Sequence, residues 1–249
     1  MGSCIIGGSH LRGCIVPTAN FATAVRAAAV LACASWCALA FGGDLGSLSN
    51  SEATAGLRKA LEQGIGRAVG RLGVPGGFLD NPAVKIPLPP KLAKAEGAMR
   101  MLGMGPEADE LVTAMNRAAE SAVPESKPLL LHALEHMSVS DAKQILTGGD
   151  DAATQYFKRA TYIPLQATFE PIVDTATRKV KLAEAYDRVA KKGVELGVLK
   201  PEDASLKTYV TQKALDGLFL MMAEEERDIR KDPLGQASDL LKKVFGAVH

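Results

Sequence analysis

The sequence predicts an all-α protein folded as a single-domain, irregular helical bundle. Apolar residues recur at the 3.6-residue period almost everywhere and alternate at period two almost nowhere. Glycine and proline punctuate the chain at short intervals, and short connections between helices make antiparallel neighbours. No fixed repeat length appears, which disfavours a solenoid. A hydrophobic fraction of 47% with 23% charged residues over 249 residues is ordinary globular usage and supports one substantial core.

The first helix starts near Ser51 and carries Leu57, Leu61, Ile65, Ala68 and Leu72 on one face, ending at Gly73 and Pro75. The run GVPGGFLDNP is a loop. Ala83 to Leu88, within NPAVKIPLPP, is the one extended segment; its prolines confine it to an edge or an irregular arm, with a short β-ribbon near residues 83–88 as the most that follows. Helices over Pro90–Leu102, Pro106–Val123 and Lys127–Met137 come next, each with proline at or near its first turn. Ser138 or Ser140 caps a short helix through Leu146, the Gly148-Gly149 pair stops it, and Asp150 caps its successor. That successor is expected to break at Pro164, bend again near Pro171 and run on to about Leu196. A long helix, Leu206 to Lys231, is closed by Asp232-Pro233, and Leu234 to Val248 forms a terminal amphipathic piece.

The head of the chain differs from its body. Cys4, Cys14, Cys33, Cys37 and the single tryptophan, Trp36, all precede an uncharged segment's end at Phe41. That segment, the fifteen residues Ala27 to Phe41, follows Arg12 and Arg26 and reads as a secretory signal, with Ala38 and Ala40 placed for a peptidase cut before Phe41. It is shorter than the about 20 residues needed to span the hydrocarbon. A membrane-tethered lipoprotein cut at Cys33 is the alternative. The expected organisation is therefore a signal peptide over residues 1–40 and a helical domain over 41–249. Losing Arg12 and Arg26 and no acid leaves 27 basic against 28 acidic residues, with no cysteine. A mature chain of that kind has no thiol chemistry, no polybasic surface for nucleic acid and no membrane span.

The helix from Leu206 has an unusually broad apolar face, so it belongs near the bundle centre. In helical projection Glu225 falls between Ala214 and Leu218, in the middle of that face. A buried carboxylate needs a cation or a proton. Arg159 and Lys158, on the helix that also carries Thr154, Tyr156 and Phe157, are the expected partners. The pair is either a structural tie between helices or the anchor of a polar pocket, in which Glu225, Arg159, Tyr156 and Arg230 are the candidate catalytic residues and Asp150, Lys213 and Asp216 the candidate ligand contacts.

His132 and His136 stand in an H-x-x-E-H spacing that can share a zinc ion, but they project from the side opposite Leu130, Leu134 and Met137 and are expected to face water. The glycines Gly64, Gly66 and Gly70 follow no strand and read as close helix packing. No serine elbow, P-loop or cofactor loop is present.

Met137-Ser138-Val139, Asp141-Ala142, Ile145-Leu146, Gly148, Ala152-Ala153-Thr154, Tyr156 and Arg159 form one recognisable block. Tyr209-Val210-Thr211, Lys213 to Phe219, Glu224-Glu225, Ile229-Arg230 and Asp232-Pro233 form a second, and Lys243-Val244-Phe245-Gly246 closes the chain. With these blocks the sequence resembles a mainly bacterial family known as domain of unknown function 4197, from about Leu48 to Gly246. The resemblance implies an exported, mostly helical protein and supplies no activity. The histidine pair lies outside its pattern.

The expectation is thus a periplasmic helical protein, without a cofactor, that acts as a non-enzymatic binding or structural module of the cell envelope, its partner an envelope protein or a small ligand. The alternative is a hydrolase or lyase built around Glu225 and Arg159.

Overall fold

A computed structural model of the chain describes residues 50–195 and 205–231, and the account below is confined to these. The chain is all-α. Its elements are α1 (Asn50–Leu72), α2 (Pro90–Met101), α3 (Gly105–Ala122), a 3-10 turn (Val123–Glu125), α4 (Ser126–Glu135), α5 (Val139–Thr147), α6 (Ala152–Thr177), α7 (Lys181–Glu195) and α8 (Leu206–Lys231). The described residues form no strand. The expected terminal piece from Leu234, the cleavage site at Ala40 and Phe41, and Cys33 lie outside the described residues.

Helix α8 packs on α1, α3, α6 and α7, and α6 also packs on α3, α4 and α5. The broad apolar face of α8 is the reason, since Val210, Ala214, Leu215 and Leu218 are fully buried. Leu57, Leu61, Ile65, Ala68 and Leu72 of α1 are buried on one side, as their spacing requires. Phe78, Phe157 and Phe169 fill the space between the helices and are the largest fully buried side chains.

Residues 83–88 form an arm and no ribbon. The backbone of Ile86 is satisfied by a side chain in place of a neighbouring strand: Asn116 of α3 accepts its N–H at 2.8 Å and donates to its carbonyl at 2.9 Å. One turn further along α3, Oε1 of Glu120 accepts the N–H groups of Gly76, Phe78 and Leu79, each at 3.1 Å. Gly76 takes φ of 91° inside this cradle, a backbone region that favours glycine. Loop 73–89 is therefore pinned to α3 by two buried polar side chains spaced i,i+4, and Phe78 is driven into the core against α8.

Helix α6 does not break at Pro164 or at Pro171. Each proline removes one N–H, whose partners would have been the carbonyls of Ala160 and Ala167. Both alanines are exposed, so water reaches those carbonyls, while Thr161, Leu165, Phe169, Val173 and Thr177 on the opposite face are buried. Packing on α3 and α8 holds the helix together where local propensity alone would end it. The chain turns instead at Arg178–Val180 and begins α7 at Lys181. Asp187 of α7 then accepts the backbone N–H of Leu206 at 3.0 Å, tying α7 to the start of α8.

Candidate functional site

Glu225 is buried, with a side chain only 4% exposed, and its partners are on α1. Arg67 Nε donates to Oε2 at 2.5 Å and Arg71 Nη1 stands 2.9 Å from Oε1. The Arg71 approach is out of line for a hydrogen bond, so Oε1 is served by charge attraction alone. Gly64 of α1 allows the close approach: a Cβ there would meet Ile229 at 3.4 Å and the Cβ of Glu225 at 3.9 Å. Gly66 and Gly70 face open space and do not share this packing role.

The expected partners of Glu225 are elsewhere. Lys158 is exposed and its ammonium lies 5.9 Å from the centre of the Phe219 ring. Arg159 is exposed and lines a different part of the molecule. The pairing of Glu225 with Arg159 does not form, because α6 presents Arg159 to the α5 side while Glu225 faces α1.

The neighbouring Glu226 joins α8 to α6. Its carboxylate accepts the backbone N–H groups of Ala153 and Thr154, each at 2.9 Å, and the Thr154 hydroxyl at 3.0 Å. These are first-turn donors of α6, which a capping side chain normally serves. Asp150 does not cap this helix: Asp151 occupies the N-cap position and makes no side-chain capping bond. Arg230, one turn on, donates to Glu226 and also to the carbonyl of Ile145 at the end of α5, both at 2.8 Å. A candidate catalytic arginine is thereby fixed as a strut across the α5–α6 junction. Glu226 was open to detection, since it projects between Leu215 and Phe219 in the same apolar face that exposed Glu225.

Helices α5 and α6 form the walls of a polar cleft of about 190 Å³, lined by Asp141, Gln144, Ile145, Ala152, Gln155, Tyr156 and Arg159. Residues i, i+3 and i+4 of α5 face residues i, i+3, i+4 and i+7 of α6, the two helices being joined through Gly148-Gly149. Tyr156 and Arg159 are thus brought together as candidates, and Glu225 and Arg230 are not among the lining residues. Tyr156 donates its hydroxyl to the Ala133 carbonyl at 2.9 Å, and burial pushes its pKa up. Asp141 closes a capping box with Ser138: its Oδ2 accepts the Ser138 hydroxyl at 2.6 Å and the Ser138 N–H at 3.0 Å. The hydroxyl, then the N–H, and at longer range the Arg159 guanidinium hold the Asp141 carboxyl below its ordinary range. Gln144 and Gln155 complete the polar lining; as ordinary helix-surface amides they carry no sequence signal of their own.

The remaining candidates are dispersed. Lys213 and Asp216 are exposed on α8, and Asp150 is exposed in the α5–α6 turn. His132 and His136 are both exposed and stack with ring centres 4.2 Å apart, and the Nδ1 of His136 lies 2.8 Å from the His132 carbonyl oxygen. Among the described residues no three His, Cys, Asp or Glu side chains converge as a metal site, and no helix is long and apolar enough to cross a membrane. A wider groove of about 570 Å³ lies between α2, α3 and the arm; its Arg100 is already paired at 2.8 Å with Glu96 and at 2.7 Å with Asp109.

No curated protein and no solved structure is detectably similar to this chain. A family model does match, over residues 47–246, which takes in every element described above. The chain belongs to the family of proteins of unknown function designated DUF4197.

Proposed function

We propose that this chain is an exported helical module of the cell envelope that binds a ligand or partner through the α5–α6 cleft and does not turn it over. The observation that carries this reading is how the buried acids are used. Glu120, Glu225 and Glu226 each neutralise or cap another element, so every buried carboxylate among the described residues serves the fold. General acid or base catalysis needs a carboxyl within reach of a substrate proton, and the carboxyl that lines the α5–α6 cleft, Asp141, is engaged through its Oδ2 in the Ser138 capping box. The hydrolase or lyase reading placed Glu225 beside Arg159, and that constellation has no cleft to work in. The uncharged segment Ala27 to Phe41 supports export.

Cell fractionation of a bacterium expressing the full chain, followed by mass spectrometry of its N-terminus, tests the location. A periplasmic product beginning at Phe41 is expected; a cytosolic product retaining residues 1–40 sinks the exported reading. A product beginning at Cys33 with an attached lipid also places the protein in the envelope, tethered rather than free. Turnover of any substrate that is lost in Glu225→Gln or in Asp141→Asn, with the circular dichroism spectrum unchanged, would overturn the non-catalytic part.

A further inference from the structure

We infer that the α5–α6 cleft takes a small zwitterion of the free amino-acid class, its carboxylate against Arg159 and its ammonium against Asp141. The inference rests on the binding-module reading and names the ligand chemistry of that site.

The first support is a pair of opposite charges that share one cleft without meeting. Arg159 acts on Asp141 through its field, yet among the described residues no nitrogen of Arg159 comes within 4.0 Å of a carboxylate oxygen. Three other exposed arginines do close on carboxylates. Arg100 closes on Glu96 and Asp109, Arg117 on Glu120, and Arg178 on Asp174. Both Ser138 donors hold the Oδ2 of Asp141 in the first turn of α5. Among the described residues its Oδ1 accepts no hydrogen bond and Arg159 makes none, so both charged ends are open to a guest seated between them.

The neutral lining fits the same guest. An ammonium donates three hydrogen bonds and takes a carboxylate plus amide oxygens, whereas a carboxylate takes the planar fork of a guanidinium. Gln155 gives its Nε2 to Asp151 at 3.0 Å, which leaves its Oε1 as an acceptor, and among the described residues Gln144 makes no side-chain bond that would have to break. Ile145, Ala152 and the ring of Tyr156 offer an apolar floor for a short side chain. The Tyr156 proton is already committed to Ala133, so that residue offers surface and no charge. A simple anion or cation would leave one charged wall unmatched, which disfavours it against a guest bearing both signs. The volume of about 190 Å³ lies below the roughly 300 Å³ at which pockets for drug-sized molecules begin, so the guest is small.

Titration of the purified full chain with L-alanine, followed by amide chemical shifts, tests this. N-acetyl-L-alanine, which lacks the ammonium, and L-alaninamide, which lacks the carboxylate, are the controls. The expected result is saturable shifts on α5 and α6 with L-alanine and affinity weaker by about tenfold or more for each control. Arg159→Gln should weaken L-alanine similarly while shifting the melting temperature little, because among the described residues Arg159 touches the fold only through its field on the exposed side of Asp141. Arg159→Lys, which keeps the charge and loses the fork, should fall between. The inference is overturned if neither L-alanine, L-serine nor L-glutamate gives saturable shifts, if N-acetyl-L-alanine binds as well as L-alanine, or if Arg159→Gln leaves affinity intact. A failed titration leaves the fractionation and turnover results standing, so the two failures are distinguishable.

Discussion

The carboxylate of Glu226 accepts both the backbone N–H and the hydroxyl of Thr154, at 2.9 and 3.0 Å, although 72 positions of chain separate the two residues. A helix start is thus capped from another helix, and the same carboxylate holds Arg230, whose side chain is only 13% exposed. Removing Glu226 uncaps α6 and strands a largely buried cation. Glu226→Ala is expected to cost about 3 to 5 kcal/mol in urea unfolding, and Thr154→Val about 1 kcal/mol for the hydroxyl bond alone. Glu226→Gln keeps an acceptor for the α6 amides and should fall between them. A cost under about 1 kcal/mol for Glu226→Ala would remove the capping account.

Glu225 should behave differently despite sitting next in the chain. Its partners Arg67 and Arg71 have side chains 38% and 58% exposed, so water can take over their solvation when the carboxylate is lost. Glu225→Ala is therefore expected to cost only about 1 to 2 kcal/mol, and Glu225→Met to be near neutral or stabilising, because a buried ion pair can be replaced by packed apolar volume without loss. Equilibrium unfolding of both variants beside Glu226→Ala checks the order. Glu225→Ala proving the costlier of the two alanine changes would contradict it.

The burial of Glu225 is legible from the period of α8, but its partner is not. Projection places a residue on a face and says nothing of which helix covers that face; Arg67 is 158 positions away on α1. Pro164 illustrates the opposite limit. Proline's lost N–H is a local fact and predicts a break, whereas the burial of Leu165 and Phe169 that overrides it is tertiary. The prolines of the 83–88 arm likewise exclude a central strand without revealing that Asn116 would satisfy Ile86. In the cleft, Tyr156 and Arg159 share one α6 face by spacing alone. Asp141 joins them because the Gly148-Gly149 turn folds α5 back, and Arg230 and Glu226 tie that junction.

Acid should destabilise the protein through Glu120. Burial by itself would raise the pKa of this carboxyl, but the hydrogen bonds from Leu79, Arg117 and Phe78 outweigh it and hold the group below its ordinary value of 4.5. A depressed folded-state pKa means that the unfolded chain binds the proton more readily. The stabilisation is therefore complete above about 4.5 and is lost as pH falls through the lower folded-state value. Urea midpoints measured downward from neutral pH should decline in that window. Glu120→Gln should lower the midpoint at neutral pH and flatten the acid decline, leaving the part due to Asp109 and Asp141, whose carboxyls are also held low. An acid decline of unchanged steepness in Glu120→Gln would assign the effect elsewhere.

The contact between Phe78 and Gly217 makes the loop and α8 interdependent. A Cβ placed on Gly217 would lie 2.7 Å from Cε1 of the Phe78 ring and 3.2 Å from Val84, and the ring is fully buried. In an open helix, glycine to alanine would gain up to about 1 kcal/mol from backbone entropy. Here the overlap forces the ring to move against Glu120's three-bond cradle, and overpacking of this kind costs about 1 to 3 kcal/mol. Gly217→Ala is accordingly expected to destabilise by about 1 to 2 kcal/mol net, with the penalty shrinking or reversing in a Phe78→Leu background, where the ring edge is gone. A double-mutant cycle by urea unfolding reads this coupling directly. Additive effects of the two substitutions would show that loop 73–89 and α8 do not sense each other through this contact.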